Sequence, residues 1–144
     1  SPEQAERVQA ILSVREAKAK DIMSSNFMTA YKNAKVSEVL EKIRRSGVEP
    51  DALSYIYVIN AEDQTLVGVV DLRELLLSLD HITLSEIMVS PAVVAEENDM
   101  REDLAEMFAK YHYRMIPVVD EQDHILGVIH YNDIMKDLVT RVKV

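Results

Sequence analysis

Apolar residues follow two rhythms along the chain, and the pair of rhythms occurs twice. Val36, Val39, Leu40 and Ile43 stand at offsets 0, 3, 4 and 7, and Met100, Leu104, Met107, Phe108 and Tyr111 at 0, 4, 7, 8 and 11. Such spacing lines one face of an α-helix, so both stretches are predicted to be amphipathic helices. The second carries a start signal, because Asp99 is followed three residues later by Glu102, the spacing of a capping box. Tyr55 to Ile59 and Met115 to Val119 are short, continuous and bounded by acidic turns, which predicts buried strands. Val67 to Val70 and Ile125 to Ile129 follow as hairpin partners. A short strand near Phe27 to Tyr31 or Ala92 to Ala95 opens each set, and a second helix, Leu72 to Leu79 or Tyr131 to Val139, closes it. Each set reads β-α-β-β-α.

The two sets are one motif written twice. Asp21-Ile-Met23 returns as Glu86-Ile-Met88, and Val36-Ser-Glu-Val-Leu40 as Met100-Arg-Glu-Asp-Leu104. Tyr55-Ile-Tyr-Val-Ile-Asn60 returns as Met115-Ile-Pro-Val-Val-Asp120, and Gly68-Val-Val-Asp71 as Gly127-Val-Ile-His130, always in the same order. The drift in spacing comes from a longer link around Ser46-Gly-Val-Glu-Pro50 and an extra residue in the Ala61-Glu-Asp-Gln-Thr65 turn, both loop positions where insertion is cheap. Two of the three glycines, Gly68 and Gly127, fall at equivalent places inside strand-like runs, which points to a bulge or a close backbone approach. A unit of about 60 residues is marginal alone, so the two units are expected to stack and bury each other's open sheet face.

The expected class is therefore α+β, two tandem β-α-β-β-α units of α/β character packed as a pseudo-symmetric pair. Residues 19–82 form unit 1 and residues 83–144 unit 2. Pro2 to Ala19 has good helix formers with Val8, Ile11, Leu12 and Arg15 on one stripe. Residues 1–18 are read as a linker helix, the end of an upstream helical domain in a longer protein.

Composition narrows the chemistry. With 48% hydrophobic residues in a chain of 144, a real core is expected. Acidic residues outnumber basic ones 25 to 16, a net charge of −9, which disfavours nucleic acid as a partner and favours cations. There is no Cys, which removes thiolate metal sites and cysteine nucleophiles. The longest apolar run, Met115 to Val119, is far below the roughly 18 residues of a spanning helix. His81, His112, His124 and His130 have no zinc-binding spacing, and no nucleophile elbow, Walker loop or dinucleotide fingerprint occurs. Nothing proposes an enzyme.

The paired Ile-Met turns, the Ile116-Pro-Val-Val-Asp120 strand and the paired Gly-apolar-apolar segments resemble a tandem pair of CBS domains, the regulatory module named after cystathionine β-synthase. More narrowly, Tyr55-Ile-Tyr-Val58, Asp71-Leu-Arg-Glu-Leu-Leu76, Ala109-Lys-Tyr111 and Pro50-Asp-Ala52 are similar to the cytoplasmic CBS region of MgtE-type magnesium channels. One departure is the charged Val14-Arg-Glu-Ala-Lys-Ala-Lys20, where that family places Tyr-Pro and small residues.

The resemblance implies two alternative ligands. For an adenine nucleotide, ATP or AMP, the CBS signature places a Thr or Ser three residues after the Gly and an Asp three further on. Unit 1 has Asp71 and Glu74 there, so its site is expected to be closed by like charge, with Asp71 serving as a helix cap. Unit 2 has His130 and Asp133, and a single nucleotide site is expected near Val94, Pro117, His130 and Asp133. For Mg2+, the resemblance points to carboxylates on the helices of unit 2, and Glu102 and Asp133 keep acids there. Met100, His112 and Lys136 stand where family carboxylates are expected, which weakens the metal set. Unit 2 is also the acidic one: Glu96, Glu97, Asp99, Glu102, Asp103 and Glu106 fall within eleven residues.

The implied function is a cytoplasmic regulatory module, not an enzyme, that gates a magnesium transporter or channel in response to intracellular Mg2+. It would act as a homodimer whose interface holds the amphipathic helices of both units, attached to an upstream helical domain and a downstream transmembrane pore. That places it on the cytoplasmic side of the cell membrane within a multi-pass protein. The alternatives are an adenine-nucleotide sensor attached to an enzyme or to another transporter, such as a corrosion-resistance type efflux protein, and a stand-alone dimerisation module.

Overall fold

The computed structural model describes residues 1–8 and 17–135. Helix α1 covers residues 2–8. Unit 1 follows as α2 (Ala19–Ile22), β1 (Met28–Tyr31), α3 (Val36–Arg45), a 3-10 turn (Pro50–Leu53), β2 (Tyr55–Ile59), β3 (Leu66–Asp71) and α4 (Leu72–Leu77). Unit 2 repeats the order as α5 (Leu84–Ile87), β4 (Ala95–Glu96), α6 (Arg101–Tyr111), β5 (Met115–Val119), β6 (Ile125–His130) and α7, described over residues 131–135. The class is α+β, with one three-stranded mixed sheet per unit: β1 parallel to β2 and β2 antiparallel to β3, then β4 parallel to β5 and β5 antiparallel to β6.

Strand alternation explains why there are three cores. Along β2, Ile56 and Val58 face α3 and join Met28, Val39 and Leu75, while Tyr57 between them faces the other sheet. Along β5, Ile116 and Val118 meet Leu104 and Phe108 of α6, while Met115 faces across. Tyr57, Val69, Met115 and Val128 thus form a central layer between the sheets, and each unit does bury the other's open face. Each such fully buried side chain contributes roughly 1.5–3 kcal/mol.

The units are interlocked at their leading segments. Ala19 of α2 lies in the core of unit 2, and Leu84 of α5 lies in the core of unit 1. Ser24 exchanges two backbone hydrogen bonds with Val128 of β6 (2.8 and 2.9 Å), and Val89 does the same with Val69 of β3 (2.9 and 3.0 Å). Gly68 and Gly127 make this possible. A Cβ on Gly68 would stand 2.6 Å from the Met88 sulfur and 2.9 Å from the Val89 carbonyl, and one on Gly127 2.8 Å from Met23 and 2.9 Å from the Ser24 carbonyl. Beside each glycine the register shifts: Val58 pairs with Gly68 but Ile59 with Leu66, and Val118 pairs with Gly127 but Val119 with Ile125. Close approach and bulge therefore both occur.

Three expectations need correction. Helix α6 is capped one residue later than its sequence suggests: Asp103 accepts from the Met100 N–H (2.9 Å), because the Asp99 carboxylate is taken by the Glu96 N–H (2.8 Å). The opening strand of unit 2 is only Ala95–Glu96, since residues 91–94 join no ladder. The leading helix does not run on to Ala19: Lys18 is extended and bridges Met100. On its stripe Val8 is exposed, and Ile11, Leu12 and Arg15 lie outside the described residues, as do Lys136 and the end of α7. Among the described residues the most exposed large apolar side chains are Leu76, Leu77 and Leu79 in and just after α4 and Val89 just after α5, and Tyr111 of α6 is exposed as well.

Candidate functional site: an inter-unit cleft

A cleft of about 940 Å³ lies where the end of β6 and the start of α7 meet the other unit. One wall is His130 and Asp133 with the loop His112–Arg114; the other is Ser24 and Asn26 with the turn from Glu49 to Ser54. Local structure builds each wall. His112 ends α6 in the left-handed region (φ 57°), which turns the chain so that Tyr113 and Arg114 lead into β5. The Tyr131 N–H donates to the Arg114 carbonyl (2.8 Å), tying the start of α7 to that loop. Opposite, the Glu49 N–H donates to the Asn26 side chain (3.3 Å), and the Asn26 N–H to the Ser24 hydroxyl (3.0 Å). The walls are joined by Tyr55 and Tyr113, packed edge to face at 5.7 Å, and by the Arg114 N–H donating to the Tyr55 hydroxyl (3.2 Å).

The cleft mixes charge. Arg114 and the imidazoles of His112 and His130 share it with Glu49, Asp51 and Asp133. Such a surface offers donors to a phosphate and acceptors to sugar hydroxyls or a hydrated cation.

The sequence-derived residues divide among three places. His130 and Asp133 line the cleft together. Val94 lines a separate hollow of about 550 Å³ with Asp103, Glu106 and Lys110. Pro117 is buried in β5, beside a hollow of only about 10 Å³ between Tyr57, Tyr113 and Met115. The four nucleotide candidates thus do not converge on one cavity. Glu102 is exposed in the first turn of α6, lining none of these hollows, and Asp133 does not share a site with it. Among the described residues no three His, Asp or Glu side chains group to hold a metal. In unit 1, Asp71 caps α4 by accepting the Arg73 N–H at 2.7 Å.

Arg114, Asn26 and Glu49 are the functional candidates that motif reading passes over. Asn26 and Glu49 come from unit 1 and face Arg114, His130 and Asp133 of unit 2, and no sequence motif marks these particular loops as neighbours.

Two interlocked β-α-β-β-α units with a cleft between them make up one pseudo-symmetric pair. The CBS domain family model matches residues 19–81 and 84–140, and the chain belongs to that family. It is a tandem CBS pair similar to the cytosolic CBS region of MgtE magnesium transporters. It is 29% identical over 128 residues to the magnesium transporter MgtE of Thermus thermophilus, covering 89% of this chain and 28% of that protein. With MgtE of Enterococcus faecalis the identity is 27% over 133 residues, 92% of this chain and 29% of that one. The chain thus spans under a third of these relatives. A crystal structure of the cytosolic domain of the Mg2+ channel MgtE in complex with ATP superposes with a TM-score of 0.79 at 28% identity, over 96% of this chain and 55% of that one. Among the described residues no helix is long and apolar enough to cross a membrane.

Proposed function

We propose that the chain is the regulatory CBS module of a magnesium transporter or channel, gating transport in response to Mg2+ on the cytoplasmic side of the membrane. The observation that carries this reading is the match to MgtE proteins along 89% or more of the chain. The concentration of acids from Glu96 to Glu106 supports it electrostatically: clustered carboxylates repel until a divalent ion screens them. Glu102 and Asp133 are assigned as Mg2+ contacts. Because they lie apart, each would hold a hydrated ion against acids of neighbouring domains, in keeping with the one or two carboxylates Mg2+ commonly takes. The ion acts only through its preference for the compact state. Reconstituted with the transporter it belongs to, the module should slow Mg2+ flux when Mg2+ rises on its own side. Flux indifferent to Mg2+ on that side would oppose the reading.

The module acts as a homodimer through the exposed Leu76, Leu77 and Leu79, in contact with an upstream helical domain and a downstream pore. It has no catalytic role.

A second reading is favoured by the cleft. Its volume suits a nucleotide, and His130, Arg114 and Asp133 supply phosphate donors and a ribose acceptor, so one ATP or AMP per chain would bind there. In this reading Val94 and Pro117 act from outside the cleft, through the backbone that carries the Tyr113 loop. Calorimetry with ATP and with AMP separates the two readings.

A further inference from the structure

The two hairpin turns meet on the pseudo-two-fold axis. Thr65 of unit 1 and His124 of unit 2 occupy equivalent places in the repeat and form an isolated bridge with one another, beside which the Leu66 N–H donates to the Asp123 carbonyl at 2.8 Å. The symmetry is broken by the side chains. Thr65 turns back on its own loop, giving its hydroxyl to the Asp63 carboxylate at 2.7 Å. His124 reaches both ways: Nδ1 lies 3.2 Å from Oδ2 of Asp120, and Nε2 lies 3.0 Å from the backbone carbonyl of Asp63 in the other unit.

Both partners are acceptors only. A neutral imidazole has one N–H and one lone pair, so either tautomer sets a lone pair against an oxygen; the imidazolium alone donates to both. The remaining atoms of Asp120 enforce this, since Oδ1 is already engaged by the N–H groups of Gln122 and His124, both at 2.9 Å. The Asp63 carboxylate is likewise engaged by Thr65, through its N–H (3.1 Å) and hydroxyl, which leaves the carbonyl to face the ring.

We propose that these turns form a proton-sensitive clasp, in which protonated His124 fastens unit 2 to unit 1 and deprotonated His124 releases that fastening. The charged groups acting on the ring are Asp120 on its own turn and Asp63 on the facing turn, both acidic. Accordingly the hydrogen bond to the Asp63 backbone, then that to Asp120, holds the His124 pKa above its ordinary 6.5, against a smaller opposing effect of desolvation. The same contacts hold Asp120 below the usual carboxylate range, led by its bond to the His124 N–H. A histidine whose folded pKa is raised stabilises the joined state below its unfolded pKa and loses that contribution as pH rises through the folded one. The ring is 43% exposed, so solvent protons reach it. The clasp therefore lets go above the ordinary imidazole pKa, and its titrating residue belongs to unit 2 alone, since Thr65 stands at the equivalent place in unit 1.

Proton NMR titration of the four imidazoles tests it, with the His124 signal assigned by its loss in His124→Gln. The clasp requires His124 to titrate above 6.5 and the amides of Asp63 and Leu66 to shift with the same midpoint. In Asp120→Asn, which keeps an acceptor but loses the charge, the His124 midpoint should fall. A His124 midpoint at or below 6.5, or Asp63 amide shifts independent of it, would overturn the proposal. The thermal stability lost in His124→Gln should also be larger at about pH 5.5 than at about pH 8.5. An equal loss at both would overturn it too.

Discussion

The sulfur of Met88 lies 2.6 Å from the point a Cβ on Gly68 would occupy, and the Val89 carbonyl is 2.9 Å from that point. The first neighbour is the flexible part of a side chain and can move; the second is backbone held by two hydrogen bonds to Val69 and cannot. Gly68→Ala should therefore lower unfolding free energy by about 1–3 kcal/mol in urea titration, and Met88→Ala should not rescue it. An unchanged midpoint in Gly68→Ala would show that the leading segment of unit 2 does not sit against β3.

Tyr57 is 1% exposed, and its hydroxyl has no hydrogen-bond partner among the described residues. Burial, aided by Tyr55 and Tyr113, pushes its pKa far upward. Tyr57→Phe keeps the ring against Phe27 and removes the stranded hydroxyl, so stability should stay the same or rise by about 1 kcal/mol. A loss of similar size in thermal unfolding would mean the hydroxyl is satisfied in solution.

The repeat made the order of elements legible, because a short continuous apolar run in Tyr55 to Ile59 and a helical period in Val36 to Ile43 are local properties of the chain. Apolar periodicity did not show the short α5, although Glu86 accepts from the Thr83 N–H at 2.8 Å in a cap of the usual spacing. The sheet-facing role of Tyr57 follows from alternation. What local patterns could not convey was the exchange of α2 and α5 between units, since Ala19 and Leu84 are buried by residues far away in sequence. The cleft suffered most from this. Asp133 was visible as a motif residue, whereas Asn26 and Glu49 become neighbours only through the interlock.

Dimerisation should depend on α4. Leu77 is 74% exposed and Leu76 62%, more apolar surface than one short helix ordinarily leaves to water. Leu77→Asp should convert a dimer to a monomer in sedimentation equilibrium at tens of micromolar without changing the circular dichroism spectrum. A wild-type chain that sediments as a monomer with and without Mg2+ would remove the dimer.

Nucleotide binding, where it occurs, should saturate at one per chain. Asp71 already occupies the helix start of unit 1 with its own carboxylate, so only the cleft beside Asp133 is open. Calorimetry with AMP should give unit stoichiometry, weakened about tenfold or more by Asp133→Ala, the loss of a hydrogen bond to a charged group. Two nucleotides per chain, or indifference to Asp133→Ala, would refute the assignment.

Mg2+ sensing is tested most directly by thermal unfolding of the chain against Mg2+, with Na+ holding ionic strength constant so that screening does not vary. An ion bound preferentially to the folded state adds RT ln(1 + [L]/Kd), roughly 1.4 kcal/mol at about ten times its dissociation constant. The account predicts a melting temperature that rises by a few degrees in millimolar Mg2+, and a rise that shrinks in Glu102→Gln and in Asp133→Asn. A melting temperature indifferent to Mg2+, a shift that Na+ reproduces at equal ionic strength, or a specific shift that survives both substitutions would contradict it.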